Sequence, residues 1–549
     1  MSTYSVFPTL YLLTGLLACT APNPDFCKES RDCPAEQGCV HNTCGNAAIL
    51  SLEALPIRTF RFTWTHVPSA THYKLLAMQE GDSEFVQVGE DIEMGARSID
   101  IVVPLHTQPG AQYVLQSCDD TGCTDSEPLL VQGNLENTIG YFKQQNVTSI
   151  GFGSAVALSA DGTTLAVGTP NPAGFGAVYL YTENEGSWTG AYVQGEAGSG
   201  FGTSVALSTN GNVLAVGAPK KAGGGVVHVF TYDTLSWQEQ AILTASNADS
   251  NDAFGQSLTL SGDGTTLVVG APGEDSNALG VGGSFAEQND NSEQDAGAAY
   301  VFTNTTGSWA QQSYVKPSNT GTGDRFGDAV ALSQDGQVFA IGAPAQPPSG
   351  AGYVFRRAGD SWSQEGYLKD REANPSPDAL FGTSVVLSSD GNWLAVGTPM
   401  KNQGLGAVHV FAHTTQWIQE TVLEPSNGNP GQRFGQSVSL TDNGKMVAIG
   451  AHGESSEAIG VAKELSGSLS ALGSGAVYLF AQDGDSKWHQ RSYVKASNTD
   501  MEDEFGFSVA LSADGSTLAV GAPGEASATL RGGDQSDNSV PGAGAVYLY

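Results

Sequence analysis

Clustered carboxylate groups are the side chains of this sequence best suited to bind an ion or a charged ligand. Six of them stand out in two stretches: Glu274, Asp275, Asp290 and Asp295 in the first, and Asp534 and Asp537 in the second. Carboxylate oxygens beside asparagine amides suit a hard cation, and calcium is the one cofactor that we consider. Neither stretch has the regular alternation of a dedicated calcium loop. Acidic loops that serve only solubility are the open alternative.

Cysteine is the second reactive residue type. Cys19 directly follows an apolar run, and six further cysteines remain: Cys27, Cys33, Cys39, Cys44, Cys118 and Cys123. An even remainder in an exported chain predicts disulfide bonds. The pairing within the first four stays open, and a zinc site there would more usually show Cys-x-x-Cys pairs.

The acidic stretches belong to a repeat that must position them. A Phe-Gly pair recurs seven times, roughly every 50 to 70 residues, beginning at Phe152, Phe201, Phe254, Phe326, Phe381, Phe434 and Phe505. Each copy reads close to FGxSVALSxDGxxLAVGAP, then a variable loop, then GAVYVF. Short alternating apolar runs punctuated by Gly, Asp and Pro predict a stacked array of small β-sheets. Seven units predict a closed seven-bladed β-propeller, an all-β fold with function in its loops.

Each repeat supplies four predicted strands, the fourth led by a tryptophan. These residues are Trp188, Trp237, Trp309, Trp362, Trp417 and Trp488, for which we predict packing between blades, with carbohydrate stacking as the alternative. The seventh repeat ends after its third strand, at Tyr549. The segment Ile139 to Val147 resembles the fourth-strand segments, so we expect it to complete the last blade and remove two exposed edges.

Antiparallel strands decide which loops share an end of the ring. The loops between strands two and three, and those that connect one blade to the next, share one end, which we call the upper face. Long inserts fall there, over residues 273–297, 453–475 and 524–544, and make this face the candidate binding face. At the lower end, Asp-Gly turns predict two-residue hairpins with positive φ at both positions; their aspartates are Asp161, Asp263, Asp335, Asp390 and Asp514.

These motifs resemble the FG-GAP repeats of integrin α-subunit propellers, and more closely the short-hairpin repeats of bacterial exported proteins. The resemblance covers residues 137–549. It is highly specific for the propeller fold and far less specific for the ligand. Integrin-type calcium loops lie between strands one and two, where this chain has only short turns such as Ser159 to Gly162. The calcium role of the family is therefore not transferred to the turn aspartates.

The N-terminal region predicts export. Residues 1–18 are interpreted as a signal peptide. The segment Leu16 to Cys19 resembles the lipobox of bacterial lipoproteins, which implies that Cys19 carries a lipid. The lipid would anchor the chain in the outer membrane, facing either the periplasm or the cell surface. A buried or disulfide-bonded Cys19 is the alternative. Residues 19–46 form a lipidated cysteine-rich segment. Residues 48–133, with Trp64, Tyr73 and Tyr113, resemble a fibronectin type III sandwich.

Composition restricts the partners. With 57 acidic and 23 basic residues, the net charge of −34 argues against nucleic acid, and contact with the membrane is expected only through the lipid. No nucleophile elbow, zinc-protease or phosphate-loop motif occurs, so we predict that the chain is not an enzyme, with a glycosidase-like carboxylate pair as the distant alternative. The sequence favours a monomeric surface adhesion or recognition protein that binds a protein or matrix ligand. A carbohydrate-binding, lectin-like propeller is the second hypothesis.

Overall fold

The computed structural model describes residues 38–40, 43–45, 47–79, 81–133, 135–144, 150–171, 174–371, 376–463, 468–528 and 535–549. Its contacts divide the chain into two compact units. The first comprises Met1–Leu55, Thr59–Val103 and Gln108–Gly133, and the second comprises Pro56–Arg58, Pro104–Thr107 and Asn134–Tyr549. The predicted signal peptide and Cys19, Cys27 and Cys33 lie outside the described residues.

The first unit is built from two larger β-sheets and one two-stranded hairpin. Its strands are β1 Gly38–Val40, β2 Thr43–Gly45, β3 Leu50–Leu55, β4 Thr59–Trp64, β5 His72–Met78, β6 Val86–Gln87, β7 Ile92–Glu93, β8 Ser98–Val102, β9 Gln112–Asp119, β10 Gly122–Asp125 and β11 Leu129–Leu130. One sheet has the order β3-β4-β8 and the other β10-β9-β5-β6, with β7 paired to β5 and β11 to β9. The backbones of β1 and β2 form a hairpin that places Cys39 opposite Cys44.

Aromatic side chains join the two sheets of this unit. Every second residue of β4 is buried, and the Phe62 ring lies 4.7 Å from that of Tyr113 on β9. The Trp64 and Tyr73 rings are 5.5 Å apart. A disulfide bond links Cys118 to Cys123 across the β9–β10 hairpin. The core of the unit therefore lies between its sheets, as in a β-sandwich.

In its described residues, the second unit contains seven sheets, here numbered I to VII. Sheet I has β13 Ala155–Leu158, β14 Thr164–Thr169, β15 Phe175–Asn184 and β16 Ser187–Ala197; sheet II has β17 Val205–Leu207, β18 Val213–Ala218, β19 Val226–Tyr232 and β20 Trp237–Leu243. Sheet III has β21 Ser257–Leu260, β22 Thr266–Ala271, β23 Ala298–Thr305 and β24 Ser308–Val315; sheet IV has β25 Ala329–Leu332, β26 Val338–Ala343, β27 Ala351–Ala358 and β28 Ser361–Leu368.

The remaining sheets follow the same order. Sheet V has β29 Ser384–Leu387, β30 Trp393–Thr398, β31 Ala407–His413 and β32 Trp417–Leu423. Sheet VI has β33 Ser437–Leu440, β34 Met446–Ala451, the short β35 Val461–Ala462, β36 Ala476–Gln482 and β37 Trp488–Val494. Sheet VII has β38 Ser508–Leu511, β39 Leu518–Ala522, β40 Ala545–Leu548 and β12 Gly140–Phe142. One-turn helices α1 Phe285–Gln288 and α2 Lys401–Gly404 lie in loops, and 3₁₀ turns span Leu105–Thr107 and Glu136–Thr138.

Strand β12 completes sheet VII from the other end of the unit. It pairs antiparallel with β40, and Tyr141 lies opposite Tyr547. Phe142 is buried beside Phe152 of the following repeat. The prediction that the segment before the first Phe-Gly supplies the missing fourth strand is confirmed for Gly140–Phe142. The array is consistent with a β-propeller.

A circle of backbone hydrogen bonds links all seven sheets at the turns between first and second strands. The N–H of Ala160 donates to the carbonyl of Thr209, Thr209 to Gly262, Gly262 to Gln334, Gln334 to Ser389, Ser389 to Asp442, Asp442 to Ala513 and Ala513 to Ala160, at 2.8 to 3.2 Å. Each bond joins one sheet to the next, and the last returns to the first. The array is therefore closed.

Glycines of the repeat mark where neighbouring sheets touch through backbone atoms. A Cβ atom on Gly397 in β30 would lie 2.0 Å from the carbonyl oxygen of Gly435, which belongs to the Phe-Gly pair of sheet VI. Gly435 itself has a φ of +90°, which favours glycine. The same contact recurs in the pairs Gly168–Gly202, Gly217–Gly255, Gly270–Gly327, Gly342–Gly382, Gly450–Gly506 and Gly521–Gly153. The repeat motif thus encodes the contact between sheets.

The phenylalanine of each Phe-Gly pair is buried within its own sheet. The Phe434 ring meets the Tyr478 ring edge-on at 5.3 Å. In sheets II and V a histidine takes the place of that tyrosine, and Phe201 and Phe381 each lie 5.1 Å from His228 and His409. These histidines therefore occupy a packing position of the repeat.

The aspartates of the lower turns hold those turns, although the turn type differs from the prediction. Asp161 accepts hydrogen bonds from the Ser159 hydroxyl at 2.6 Å and from the Thr163 amide at 3.0 Å. Only the glycine has positive φ, +71° at Gly162, so the expectation of positive φ at both positions was wrong. The Gly162 amide donates to the Ser159 carbonyl, and the Ser159 amide donates to the Thr164 carbonyl, so the loop has four residues instead of two.

Replacing Gly397 by alanine tests the contact between sheets. The added methyl group would overlap the Gly435 carbonyl, so we expect the free energy of unfolding to fall by about 1–3 kcal/mol. Gly484→Ala is the control, because no atom lies within 4 Å of its Cβ position; it should change stability by less than about 0.5 kcal/mol. Urea unfolding of both variants gives the comparison, and equal stabilities would refute the role of the glycine.

Candidate functional site

Three long loops between second and third strands share one sequence motif at their base. We call them loop A (272–297, sheet III), loop B (452–475, sheet VI) and loop C (523–544, sheet VII). Each begins with Gly-Glu-x-Ser, and the glutamates Glu274, Glu454 and Glu525 are all fully buried. A buried carboxylate requires partners, and the outer strand of the same sheet supplies them.

A buried lysine pairs with each of these glutamates. Lys316 Nζ lies 2.9 Å from Glu274 Oε2, and Lys495 Nζ lies 3.1 Å from Glu454 Oε2. In sheet VII, Lys143 beyond β12 forms the same ion pair with Glu525. The three loops are thus each fixed to the outer strand of their own sheet.

A tyrosine two residues before each lysine completes this unit, which we call the clamp. The hydroxyl of Tyr314 donates to Glu274 at 2.8 Å, and that of Tyr141 donates to Glu525 at 3.0 Å. In sheet VI the Tyr493 hydroxyl is 2.7 Å from that of Ser456, the serine of the loop motif. Residues i and i+2 of a strand project to the same side, which is why Tyr-x-Lys presents both groups to one carboxylate.

Burial shifts the pKa values of the clamp lysines. Burial lowers the pKa of Lys495, while the charge of Glu454 and its hydrogen bond raise that pKa. The pKa of Lys316 and that of Lys143 are lowered for the same first reason. Because water is excluded, neither partner is tolerated alone.

Loops A and B also cover the edges of their sheets. Val281 of loop A forms a bridge with Val315, and β35 of loop B pairs with β37, with Val461 opposite Val494. Tyr314 is consequently only 2% exposed, whereas Tyr192, at the equivalent place of sheet I, is 63% exposed. The described parts of loops A and B that pair with these edges therefore act as straps across their sheets.

Loops A and C share a second motif that sequence reading missed. It is Gln-x-Asp-Asn-Ser, at Gln288 to Ser292 and at Gln535 to Ser539. The asparagine donates to an aspartate of the preceding connection between sheets: Asn291 to Asp249 at 2.8 Å and Asn538 to Asp500 at 3.0 Å. The sequence signal for this motif is the same five-residue pattern, which occurs in both loops.

A buried aspartate supports each of these two connections. Asp252 accepts the Asp249 amide at 2.7 Å, and Asp503 accepts the Asp500 amide at 2.8 Å. Burial, together with the charge of the nearby clamp glutamate, raises the pKa of Asp252 to about 7 and that of Asp503 to about 8. In sheet VI the neutral Gln432 stands two residues before the Phe-Gly phenylalanine, where Asp503 stands in sheet VII.

The predicted calcium ligands are distributed over separate contacts. Glu274 belongs to a clamp, Asp275 accepts the Asp295 amide at 2.7 Å, and Asp290 and Asp537 accept the amides of Ser292 and Ser539. Asp534 lies outside the described residues. In the part of the chain that the structure describes, no three His, Cys, Asp or Glu side chains are grouped to hold a metal ion. Calcium binding stays a prediction.

Comparison with known proteins identifies the repeat. The FG-GAP repeat family matches residues 237–302, 309–355, 417–480 and 488–549. FG-GAP repeats are therefore present in four places, as the sequence motifs predicted. No curated protein sequence matches the chain. Across the described residues, no helix is long and apolar enough to cross a membrane.

Several solved structures resemble the chain at low sequence identity. A putative 6-phosphogluconolactonase from Bacteroides uniformis shares 11% identity over 78% of this chain and 98% of its own, with a TM-score of 0.43. The periplasmic gluconolactonase PpgL of Pseudomonas aeruginosa shares 15% identity over 78% and 98%, with a TM-score of 0.41. The WD40 repeats of RRP9 share 13% over 75% and 96%, with a TM-score of 0.43. No function is inferred from similarity at this level.

Removing one cation tests the clamp. Lys495→Met leaves Glu454 buried without its charged partner, so we expect unfolding free energy to fall by about 3–5 kcal/mol. Lys487→Met removes an exposed lysine of the same sheet and should cost less than about 0.5 kcal/mol. Adding Glu454→Gln to Lys495→Met should restore part of the loss. Equal stability of the two single variants would contradict a structural ion pair.

The buried aspartate predicts a pH dependence. A carboxyl whose pKa is raised in the folded state contributes stability below pH 4 that is lost as pH rises through about 8 for Asp503. Over this window the contribution changes by up to about 1.4 kcal/mol per pH unit. Asp503→Asn keeps the acceptor oxygen, so it should be more stable than the parent at pH 9 and show a flatter profile in urea unfolding. The exposed Asp485→Asn is the control, and identical profiles for both variants would refute the assignment.

Proposed function

We propose that this chain is a non-enzymatic recognition protein of the cell surface. Its FG-GAP repeats form a seven-bladed propeller that binds a protein or matrix ligand through the tips of loops A, B and C. The observation that carries this proposal is the set of three clamps. Each clamp fixes one loop with a buried ion pair, and the antiparallel order of the strands supports a common end of the ring for all three loops.

The chemistry of the loop tips favours a protein ligand with basic surface groups. Glu287, Asp290 and Asn291 of loop A are exposed, and the net charge of the chain is −34. Such a surface attracts a basic partner and speeds its association. Leu279, Leu472 and Met501 add exposed aliphatic side chains on this face. Sugars stack on aromatic rings, so aliphatic groups support a protein ligand over a glycan.

The preceding parts of the chain are proposed to hold the propeller away from the membrane. The three-stranded sheet packed on a larger sheet, with Trp64 and Tyr73 in the core, supports a fibronectin type III-like spacer. The motif at Leu16 to Cys19 supports a lipid anchor in the outer membrane. The monomeric state belongs to the same proposal.

A paired charge reversal tests the binding face. Glu287→Lys with Asp290→Lys reverses two exposed charges of loop A, and Asp360→Lys with Asp485→Lys reverses two exposed charges on lower turns. Both variants and the parent are measured on panels of immobilised matrix proteins, envelope proteins and glycans. We expect a protein ligand whose affinity falls at least about tenfold, or 1.4 kcal/mol, in the first variant only.

Two results would contradict the proposal. Equal binding by both double variants would place the ligand away from loop A. Binding to glycans with no binding to proteins would favour the lectin-like function instead.

A further inference from the structure

The fourth strand of the repeat lies at the outer side of each sheet, and the chain protects most of these outer strands. An unpaired edge strand can add a strand from another molecule. In sheets II to VI the pairing of strands three and four is interrupted by a β-bulge, for example between Val229 and Phe230. Sheets III and VI add straps, and β12 is only 3 residues long. Bulges, straps and short strands are recognised protections.

Strand β16 of sheet I is protected least. It is 11 residues long and pairs with β15 without interruption from Ala177 to Asn184, and the one register shift of this pair lies at its far end, between Phe175 and Ala177. Its sequence, SWTGAYVQGEA, contains no Lys, Arg or Pro. Among the described residues, no strand pairs with its outer side. It is therefore a long and regular open edge.

The outer side of β16 offers main-chain donors. The Glu183 amide donates to the Thr163 carbonyl on the inner side of β15. By alternation, the amides of Thr189, Ala191 and Val193 point toward β15, and those of Gly190, Tyr192 and Gln194 point outward. Tyr192 is 63% exposed and lies beside Tyr179, with ring centres 5.8 Å apart. An incoming strand would find both a ladder of hydrogen bonds and an aromatic contact.

We propose that the outer edge of β16 is a strand-addition site for an extended, basic segment of a partner protein. The chain itself provides the precedent, because its own straps occupy the equivalent edges of sheets III and VI. Val281 bridges Val315 there, and Val461 lies opposite Val494. Strand addition draws affinity from main-chain bonds and specificity from alternate side chains.

The negative charge of this chain favours a basic segment at the outer edge of β16. Glu183 and Glu185 lie on the β15–β16 hairpin, whereas Glu196, near the end of β16, already pairs with Lys221. Two copies of a chain with net charge −34 repel one another, which disfavours pairing of β16 with a second copy. A segment with lysine or arginine residues is attracted instead. This site lies outside loops A, B and C, so it is independent of the function proposed above.

The test uses the full chain and a synthetic probe peptide, Lys-Val-Thr-Val-Lys-Val-Thr-Val-Lys, labelled for fluorescence anisotropy. Hydrogen exchange with mass spectrometry locates the bound peptide. We expect slower exchange within Ser187–Ala197 and unchanged exchange in β20, β28 and β32. Gln194→Pro removes an outward amide and Tyr192→Lys adds a repelling charge; each should weaken binding at least about tenfold.

Tyr367→Lys on β28 is the matched control, since Tyr367 is the equivalent, 46% exposed residue of a bulged edge. It should bind the peptide as the parent does. Thermal unfolding establishes that each variant is folded. Absence of binding, protection spread equally over other edges, or the same affinity in all variants would overturn the proposal. Light scattering that shows dimers of the free chain, abolished by Gln194→Pro, would also overturn it in favour of a second copy.

Discussion

Contact between the backbones of neighbouring sheets is the constraint on which the rest of the structure depends. The carbonyl of each Phe-Gly glycine lies against a glycine of the preceding sheet, so no side chain fits between them. Serines at the start of five first strands, or directly before it, reinforce this contact. Ser204, Ser257, Ser384, Ser437 and Ser508 donate to the same carbonyls at 2.7 to 2.8 Å. The conspicuous residues of the repeat are therefore those that join one sheet to the next.

Such a rigid support allows the upper loops to differ without loss of the fold. The clamps place a buried ion pair where each long loop leaves its sheet, so the variable residues begin beyond a fixed point. Buried ion pairs contribute little net stability compared with apolar packing, but they penalise every arrangement that separates the partners. The clamp therefore specifies the path of the loop more than it stabilises the chain. The same loops protect the outer edges of sheets III and VI.

The sequence predicted what is repeated and missed what is paired across the chain. Repetition exposed the strands and the closing segment near Tyr141. The clamp was missed because its two halves are far apart in sequence; Glu525 and Lys143 are separated by most of the second unit. Glu274 was interpreted as a calcium ligand because its acidic neighbours are adjacent in sequence, whereas its buried partners are not. The two Gln-x-Asp-Asn-Ser motifs are visible in the sequence, but their role became clear only from the hydrogen bond between Asn291 and Asp249.

Closure of the ring is the central claim, and hydrogen exchange of its seven linking amides tests it most directly. These amides belong to Ala160, Thr209, Gly262, Gln334, Ser389, Asp442 and Ala513. Backbone-resolved exchange should show all seven protected to a similar degree, because each donates to the next sheet. Fast exchange at Ala513, whose bond to Ala160 joins the last sheet to the first, with protection of the other six, would show an open arc and contradict the account.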